Sequence, residues 1–134
     1  MTDTVSPETR SRIMSRIRSE NTAPEAVMAG ILDGLGLRFE CHPAGLRGRP
    51  DFVLRRERIA VFCDGDFWHG NSRVPDIPFW RNKIARNRLR DLSVNQSLRA
   101  KGWKVIRFWE SLILSDPRSC RSALLVLSRT SRRS

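Results

Sequence analysis

Two short apolar runs separated by a long basic stretch constrain the fold of this chain more than any other feature. Residues 59–63 read Ile-Ala-Val-Phe-Cys, and residues 103–109 read Trp-Lys-Val-Ile-Arg-Phe-Trp. Both have strand length and strand composition, and the first is so uniformly apolar that it must be central in a sheet. Between them, residues 79–101 form a long helix stopped by Gly102. A strand, a helix and a second strand in this order make a parallel crossover, right-handed because strands twist that way. Upstream, a charged turn at Arg55-Arg56-Glu57 joins the strand at 59–63 to a hairpin partner, Asp51-Phe52-Val53-Leu54.

Helices complete the pattern. Ser6-Pro7-Glu8 starts one that carries Ile13, Met14 and Ile17 and frays near Ser19. Thr22-Ala23-Pro24-Glu25 starts a second, whose apolar positions Val27, Met28, Ile31, Leu32 and Leu35 keep helical spacing up to the glycines at 34 and 36. Residues 45–50 are a loop, residues 64–70 another, and Pro75 and Pro78 punctuate the next stretch. Asp116-Pro117 caps a last helix reaching about residue 127. The expected class is α/β, a small mixed sheet flanked by helices. At 134 residues the chain holds one domain, expected over 1–127, with a disordered basic tail at 128–134.

Charge narrows the partners. Twenty-five Lys and Arg oppose 14 Asp and Glu, a net +11. The first 40 residues hold five arginines and six acids, so the excess falls on residues 41–134, and Lys appears only at Lys83, Lys101 and Lys104. Guanidinium forks match phosphate oxygens and shed water readily, so a polyanion, nucleic acid above all, is the natural partner. A membrane surface fits less well, since no helix pairs its basic residues with a clean apolar face. No apolar run approaches the roughly 18 residues that would span a bilayer. The polar start MTDTVSPETRSRIM lacks the apolar core of a secretory signal, so a soluble intracellular domain is expected. Cys41, Cys63 and Cys120 form no metal-binding spacing and read as buried or free thiols.

Several residues could do chemistry. Asp51 starts one strand of the hairpin and Asp64 ends the other, so pairing brings both carboxylates to one end of the sheet. Two such oxygen ligands, with backbone carbonyls and water, suit Mg²⁺ and phosphodiester cleavage. Pro-Asp and Asp-Gly are also ordinary turn dipeptides, which explains each alone; together, in a chain of this charge, they point to a metal. His69, five residues beyond Asp64, could take a proton from an attacking water. His42 has no such neighbourhood and reads as a surface residue. The pairs Phe67-Trp68 and Phe79-Trp80 are core candidates, yet four large rings within 14 residues are hard to bury, and about half are expected to be exposed, where they could wedge into a base stack. Glu25 completes a Thr-x-x-Glu capping box, which explains it without chemistry. Asp91 shares a stripe with Ile84 and Leu98, so it points inward and needs an arginine or the metal as partner. Arg81, Lys83, Arg86, Arg88 and Arg90 crowd the first turns of the basic helix, and like charges at i,i+4 repel unless an anion neutralises them.

These residues also resemble a known family. Thr-Ala-Pro-Glu25, Leu-Arg-Gly-Arg-Pro-Asp51-Phe-Val, Val-Phe-Cys-Asp-Gly-Asp-Phe-Trp-His69-Gly, Phe79-Trp80-x-x-Lys-Ile-x-x-Asn, Arg90-Asp91 and Gly-Trp-Lys-Val-Ile-Arg-Phe-Trp-Glu110 are similar, in order and spacing, to the very-short-patch-repair (Vsr) DNA endonucleases. The likeness spans roughly residues 8–115. It implies a restriction-endonuclease-like, PD-(D/E)XK-type core and a Mg²⁺-dependent enzyme that nicks duplex DNA at T:G mismatches. By the same resemblance Asp51 binds the metal and His69 accepts the proton; the reading of the residues adds Asp64 and the backbone carbonyl of Cys63 as further oxygen ligands. Glu25 belongs to the catalytic neighbourhood, and Glu25, Asp51, His69 and Asp91 could fill the Glu…Asp…His…Asp set of related homing endonucleases. Phe67, Trp68 and Trp80 match the aromatics that wedge beside the mismatch, while Arg49, Lys83, Arg86 and Arg90 hold the backbone. Double-stranded DNA is the implied partner, with mismatch-repair proteins beside it, for a monomer in the bacterial cytoplasm near the nucleoid.

Two departures stand out. The best-known members hold a structural zinc with Cys and His, at positions that here read Asp66, Asn71, Arg73 and Ser111, so no structural zinc is expected. Asp64 stands where those members carry a histidine, which adds a hard ligand. Both bear on the loop that reads the mismatch. They keep open a homing, restriction or defence nuclease acting on matched or branched DNA, or a DNA-binding module without catalysis.

Overall fold

A computed structural model of the chain describes residues 23–66 and 77–132. In chain order it contains α1 (Ala23–Gly34), β1 (Glu40–Cys41), β2 (Phe52–Leu54), β3 (Ile59–Asp64), α2 (Pro78–Ala100), β4 (Lys104–Trp109), α3 (Glu110–Ser115) and α4 (Pro117–Arg132). The helix expected at 6–19 and the loop residues Phe67, Trp68 and His69 lie outside the described residues.

The hairpin and the crossover form as expected. The sheet order is β1-β2-β3-β4, antiparallel from β1 to β3 and parallel between β3 and β4. The register sets Phe52 opposite Val61 and Cys63 opposite Phe108. Alternation along each strand then divides the core between two faces. Phe52, Leu54, Ile59, Val61 and Phe108 pack with Met28, Leu32, Ile113, Cys120 and Leu124, from the helices α1, α3 and α4. Val53, Ala60 and Phe62 pack on the opposite face with Val94 and Leu98 of α2 and with Trp103. Phe52, Met28 and Leu32 are fully enclosed, each contributing about 2 kcal/mol from burial.

Glycine ends both long-range helices in the same way. At α1, Gly36 has φ 73° and donates to Asp33 O, while the next residue, Leu37, donates to Leu32 O. At α2, Gly102 has φ 89° and donates to Arg99 O, and Trp103 donates to Leu98 O. Both are Schellman motifs, and in each an apolar residue past the glycine packs with the one it bonds, Leu37 on Leu32 and Trp103 on Leu98. Asp116 caps α4 through Ser119 N–H, again as expected.

Three features differ from the sequence reading. β1 is a two-residue strand and α3 a six-residue helix, both too short to leave a periodic signal. The last helix also continues to Arg132 instead of stopping near residue 127, and Ser128 is buried, so residues 128–132 are helical and not a disordered tail.

Candidate active site

The loop that delivers Asp51 is wedged against α2. Gly48 has φ 79°, and a Cβ there would lie 2.5 Å from Val94 Cγ1. Only glycine permits both that conformation and that approach. Arg47 reaches the same helix, with Nη1 donating to Ser93 O at 3.3 Å. Two non-glycine residues in this region, His42 (φ 47°) and Arg49 (φ 48°), adopt left-handed backbone. Such strain persists only where surrounding contacts enforce it. His42 N–H donates to Asp51 O at 3.0 Å, continuing the β1–β2 ladder by one pair, and Arg49 N–H donates to Leu46 O.

The ladder brings His42 beside Asp51, and α1 brings Glu25 to both. His42 Nε2 lies 3.1 Å from Glu25 Oε2, and His42 Nδ1 lies 4.0 Å from Asp51 Oδ1. Glu25, in the first turn of α1, is only 6% exposed. Asp51 is held from the other side, where Cys63 N–H donates to its Oδ2 at 2.6 Å. Burial is the main cause that pushes the Asp51 carboxyl up to about 7; the Cys63 N–H opposes it, and the Glu25 and Asp64 carboxylates add to it. Among the described residues, Glu25, His42 and Asp51 each offer a ligand atom, and these atoms lie within 4.8 Å of one another. His42 is therefore not the isolated surface residue its sequence context implies. Glu25 also does more than cap a helix, since its carboxylate meets His42 and Asp51.

Asp64 goes elsewhere. It alternates with Phe62 and so faces α2, where Arg107 Nη1 donates to its Oδ1 at 3.0 Å and its Oδ2 at 3.1 Å. The same Nη1 is 3.6 Å from Asp91 Oδ1, which supplies the arginine partner that Asp91 requires. The expected convergence of Asp51 and Asp64 is met only in part: Asp64 lies near enough to push the Asp51 carboxyl up, but it pairs with Arg107, and neither Asp64 nor Asp91 joins the Glu25–His42–Asp51 group. Burial, with Asp51 and Glu25 next in effect, pushes the Cys63 thiol far up, so it stays neutral and offers no thiolate to a metal.

The basic surface lies on α2. Arg86, Arg88 and Arg90 are exposed, as is Arg49 on the Asp51 loop. At the start of α2, Phe79 is 59% exposed and meets Trp80 edge-to-face, with ring centroids 4.9 Å apart. Lys83 Nζ stands 5.9 Å over Phe79. Phe79 is thus more exposed than Trp80, which is half-buried. Of the four positions where the family's zinc ligands would stand, Asn71 and Arg73 lie outside the described residues. The other two are joined directly: Asp66 Oδ2 accepts from Ser111 N–H at 3.0 Å, and its Oδ1 accepts from Ser111 Oγ at 2.6 Å. Asp66 thereby caps the N-terminus of α3 from another part of the chain.

Comparison with known proteins agrees with this geometry. The family described as DNA mismatch endonuclease Vsr matches residues 2–74. The type II nicking enzyme V.XorIIP of Xanthomonas oryzae pv. oryzae is 40% identical over 116 residues, covering 82% of this chain and 85% of that protein. The type II nicking enzyme V.NmeDIP of Neisseria meningitidis serogroup C is 37% identical over 125 residues, covering 88% and 84%. The DNA mismatch endonuclease Vsr of Escherichia coli K12 is 39% identical over 116 residues, covering 82% and 74%. Among solved structures, the catalytic domain of the homing endonuclease I-Bth0305I superposes with a TM-score of 0.57 at 20% identity, over 82% of this chain and 97% of that one. That likeness shows the fold, a restriction-endonuclease-like core. The chain belongs to the Vsr family of DNA mismatch endonucleases and is a DNA-nicking hydrolase.

Proposed function

We propose that the protein nicks duplex DNA at T:G mismatches, with Mg²⁺ as its cofactor, in the bacterial cytoplasm. The observation that carries this reading is the meeting of Glu25, His42 and Asp51 beside a helix of exposed arginines. The donor set fits a hard cation. Asp51 and Glu25 offer carboxylate oxygens, the neighbouring thiol stays protonated, and a carboxyl pushed up to about 7 is one whose ionised form lacks a compensating charge. Asp51, Glu25 and the Cys63 backbone carbonyl would hold the ion, which supplies an activated water and offsets charge on the reacting phosphate.

The chain's own groups do the remaining work. Cys63 N–H fixes the rotamer of Asp51, and His42 fixes that of Glu25. Arg49, Lys83, Arg86 and Arg90 bind backbone phosphates, an interaction that weakens with salt. Phe79 and Trp80 stand where rings can wedge between bases, with Phe67 and Trp68 assigned the same task by the family resemblance. That resemblance also supports His69 as the proton acceptor.

The test is an end-labelled duplex, matched or carrying one T:G pair, incubated with Mg²⁺ or with EDTA. The expected result is a Mg²⁺-dependent nick in the T strand of the mismatched duplex alone. Nicking that persists in EDTA would overturn the cofactor. Equal nicking of both duplexes would replace mismatch repair by a matched-site nuclease. Binding without cleavage across varied sequences would leave a DNA-binding module.

A further inference from the structure

A second polar cluster, next to the Asp51 group at the end of β3, centres on Arg107. Arg107 stands opposite Phe62 in the β3–β4 register, and its guanidinium carbon lies over that ring, 4.0 Å from the centroid. Nη1 donates to both oxygens of Asp64 and lies 3.6 Å from Asp91, while Nε donates to Asn95 Oδ1 at 2.8 Å. Asp64 is 8% exposed, so a paired cation matters to its charge, and Arg107 supplies one. Lysine could not replace arginine here, because one planar group both stacks on Phe62 and bonds in two directions.

The connections give the cluster a reach that no single contact has. Asp64 follows Cys63, whose N–H fixes Asp51. Asp91 and Asn95 are one turn apart on α2, the helix that exposes Arg86, Arg88 and Arg90. One guanidinium therefore ties the helix that grips DNA to the strand end that carries the cleavage site. We propose that Arg107 is a positioning residue for nicking: it sets the register between phosphates bound on α2 and the phosphodiester presented to Asp51. Asp64 is its ion-pair partner and not a cation ligand. This rests on the nicking activity proposed above.

Four variants test the assignment on whichever duplex the wild-type protein nicks: Arg107→Gln, Arg107→Lys, Asp64→Asn and the double variant Arg107→Gln/Asp64→Asn. Nick position is mapped at single-nucleotide resolution, and kcat and KM are separated. Arg107→Gln is expected to lower kcat by about 10- to 100-fold, the scale of an ångström-level misplacement, and to spread nicks onto neighbouring phosphodiesters. Arg107→Lys should recover part of the rate and most of the positional fidelity. Asp64→Asn should cost only several-fold, and in the Arg107→Gln background it should restore part of the activity by removing a buried carboxylate that has lost its guanidinium. Asn95→Ala, a milder change, should broaden nick position slightly if Arg107→Gln fails to fold. A wild-type nick pattern in Arg107→Gln and Asn95→Ala, even at reduced rate, would mean a purely structural role and overturn the proposal. Complete loss of nicking in Asp64→Asn, with the fold and DNA binding retained, would return Asp64 to the metal and also overturn it. A wild-type protein that nicks no duplex would instead defeat the nicking reading itself, and this proposal with it.

Discussion

Two acidic clusters meet at the end of β3, and their charge is balanced in different ways. In the cluster against α2, Asp64 and Asp91 share Arg107. In the cluster against α1, Asp51 and Glu25 are buried together with His42 beside them, and Asp51 is pushed up to about 7. The lesson concerns function more than stability. A buried carboxyl pushed up in this way, with a second carboxylate beside it, is a place where a cation from solution, or a reacting phosphate with its metal, completes the charge balance.

The comparison can be broken by neutralising one carboxylate in each cluster. Asp51→Asn is expected to abolish nicking, by about 10³-fold or more, while DNA binding persists. The same change should raise the melting temperature of the metal-free protein, because it removes a charge that burial disfavours. Asp91→Asn should lower that melting temperature by a degree or two, since Arg107 loses a charge partner. If both variants shift the melting temperature in the same direction, the contrast between the two clusters fails.

Titration sharpens the contrast. Because the folded pKa of Asp51 lies above its unfolded value of 3.8, the folded protein holds an extra proton between 3.8 and about 7. The contribution of this group to stability is therefore greatest below pH 3.8 and declines as pH rises through that window. Thermal melts of wild type and Asp51→Asn in EDTA should diverge between pH 5 and pH 8, with the variant gaining on wild type as pH rises. Nicking by wild type at low Mg²⁺ should fall about tenfold per pH unit below the pKa of Asp51. A flat profile from pH 5 to pH 8 would remove the premise.

Two smaller effects probe how the Asp51 site is delivered. Gly48→Ala should cost about 1–3 kcal/mol and several degrees of melting temperature, because the new Cβ meets Val94 and the backbone is left-handed. Val94→Ala in the same background should return part of that loss, which a double-mutant cycle would detect. Arg49→Ala should weaken DNA binding almost equally for matched and mismatched duplexes, reducing the salt slope by about one phosphate contact. A selective loss on mismatched DNA would mean Arg49 reads the lesion instead of the backbone.

What could be read along the chain had local causes. The hairpin, the parallel crossover and the ends of both long helices follow from apolar period, strand length and single glycines at Gly36 and Gly102, each acting within a few residues. Asp51 and Glu25 were legible as candidates because their motifs are contiguous. His42 was not. Its role depends on a two-residue strand that aligns it with Asp51 and on a glutamate 17 residues upstream, and neither leaves a signal around a lone histidine. An exposed ring at Phe79 and a half-buried one at Trp80 likewise depend on how α2 lies against the sheet.

By itself, then, the sequence determined the class of fold, the basic surface, the family and most of the acidic residues that matter, because these rest on composition and on patterns a few residues long. Only the tertiary structure decided which carboxylates act together. Asp51 and Asp64 end paired strands, yet Asp51 meets Glu25 and His42 while Asp64 meets an arginine 43 residues away. Two positions near one strand end are close in the backbone, but their chemistry is set by the partners that distant parts of the chain bring to each.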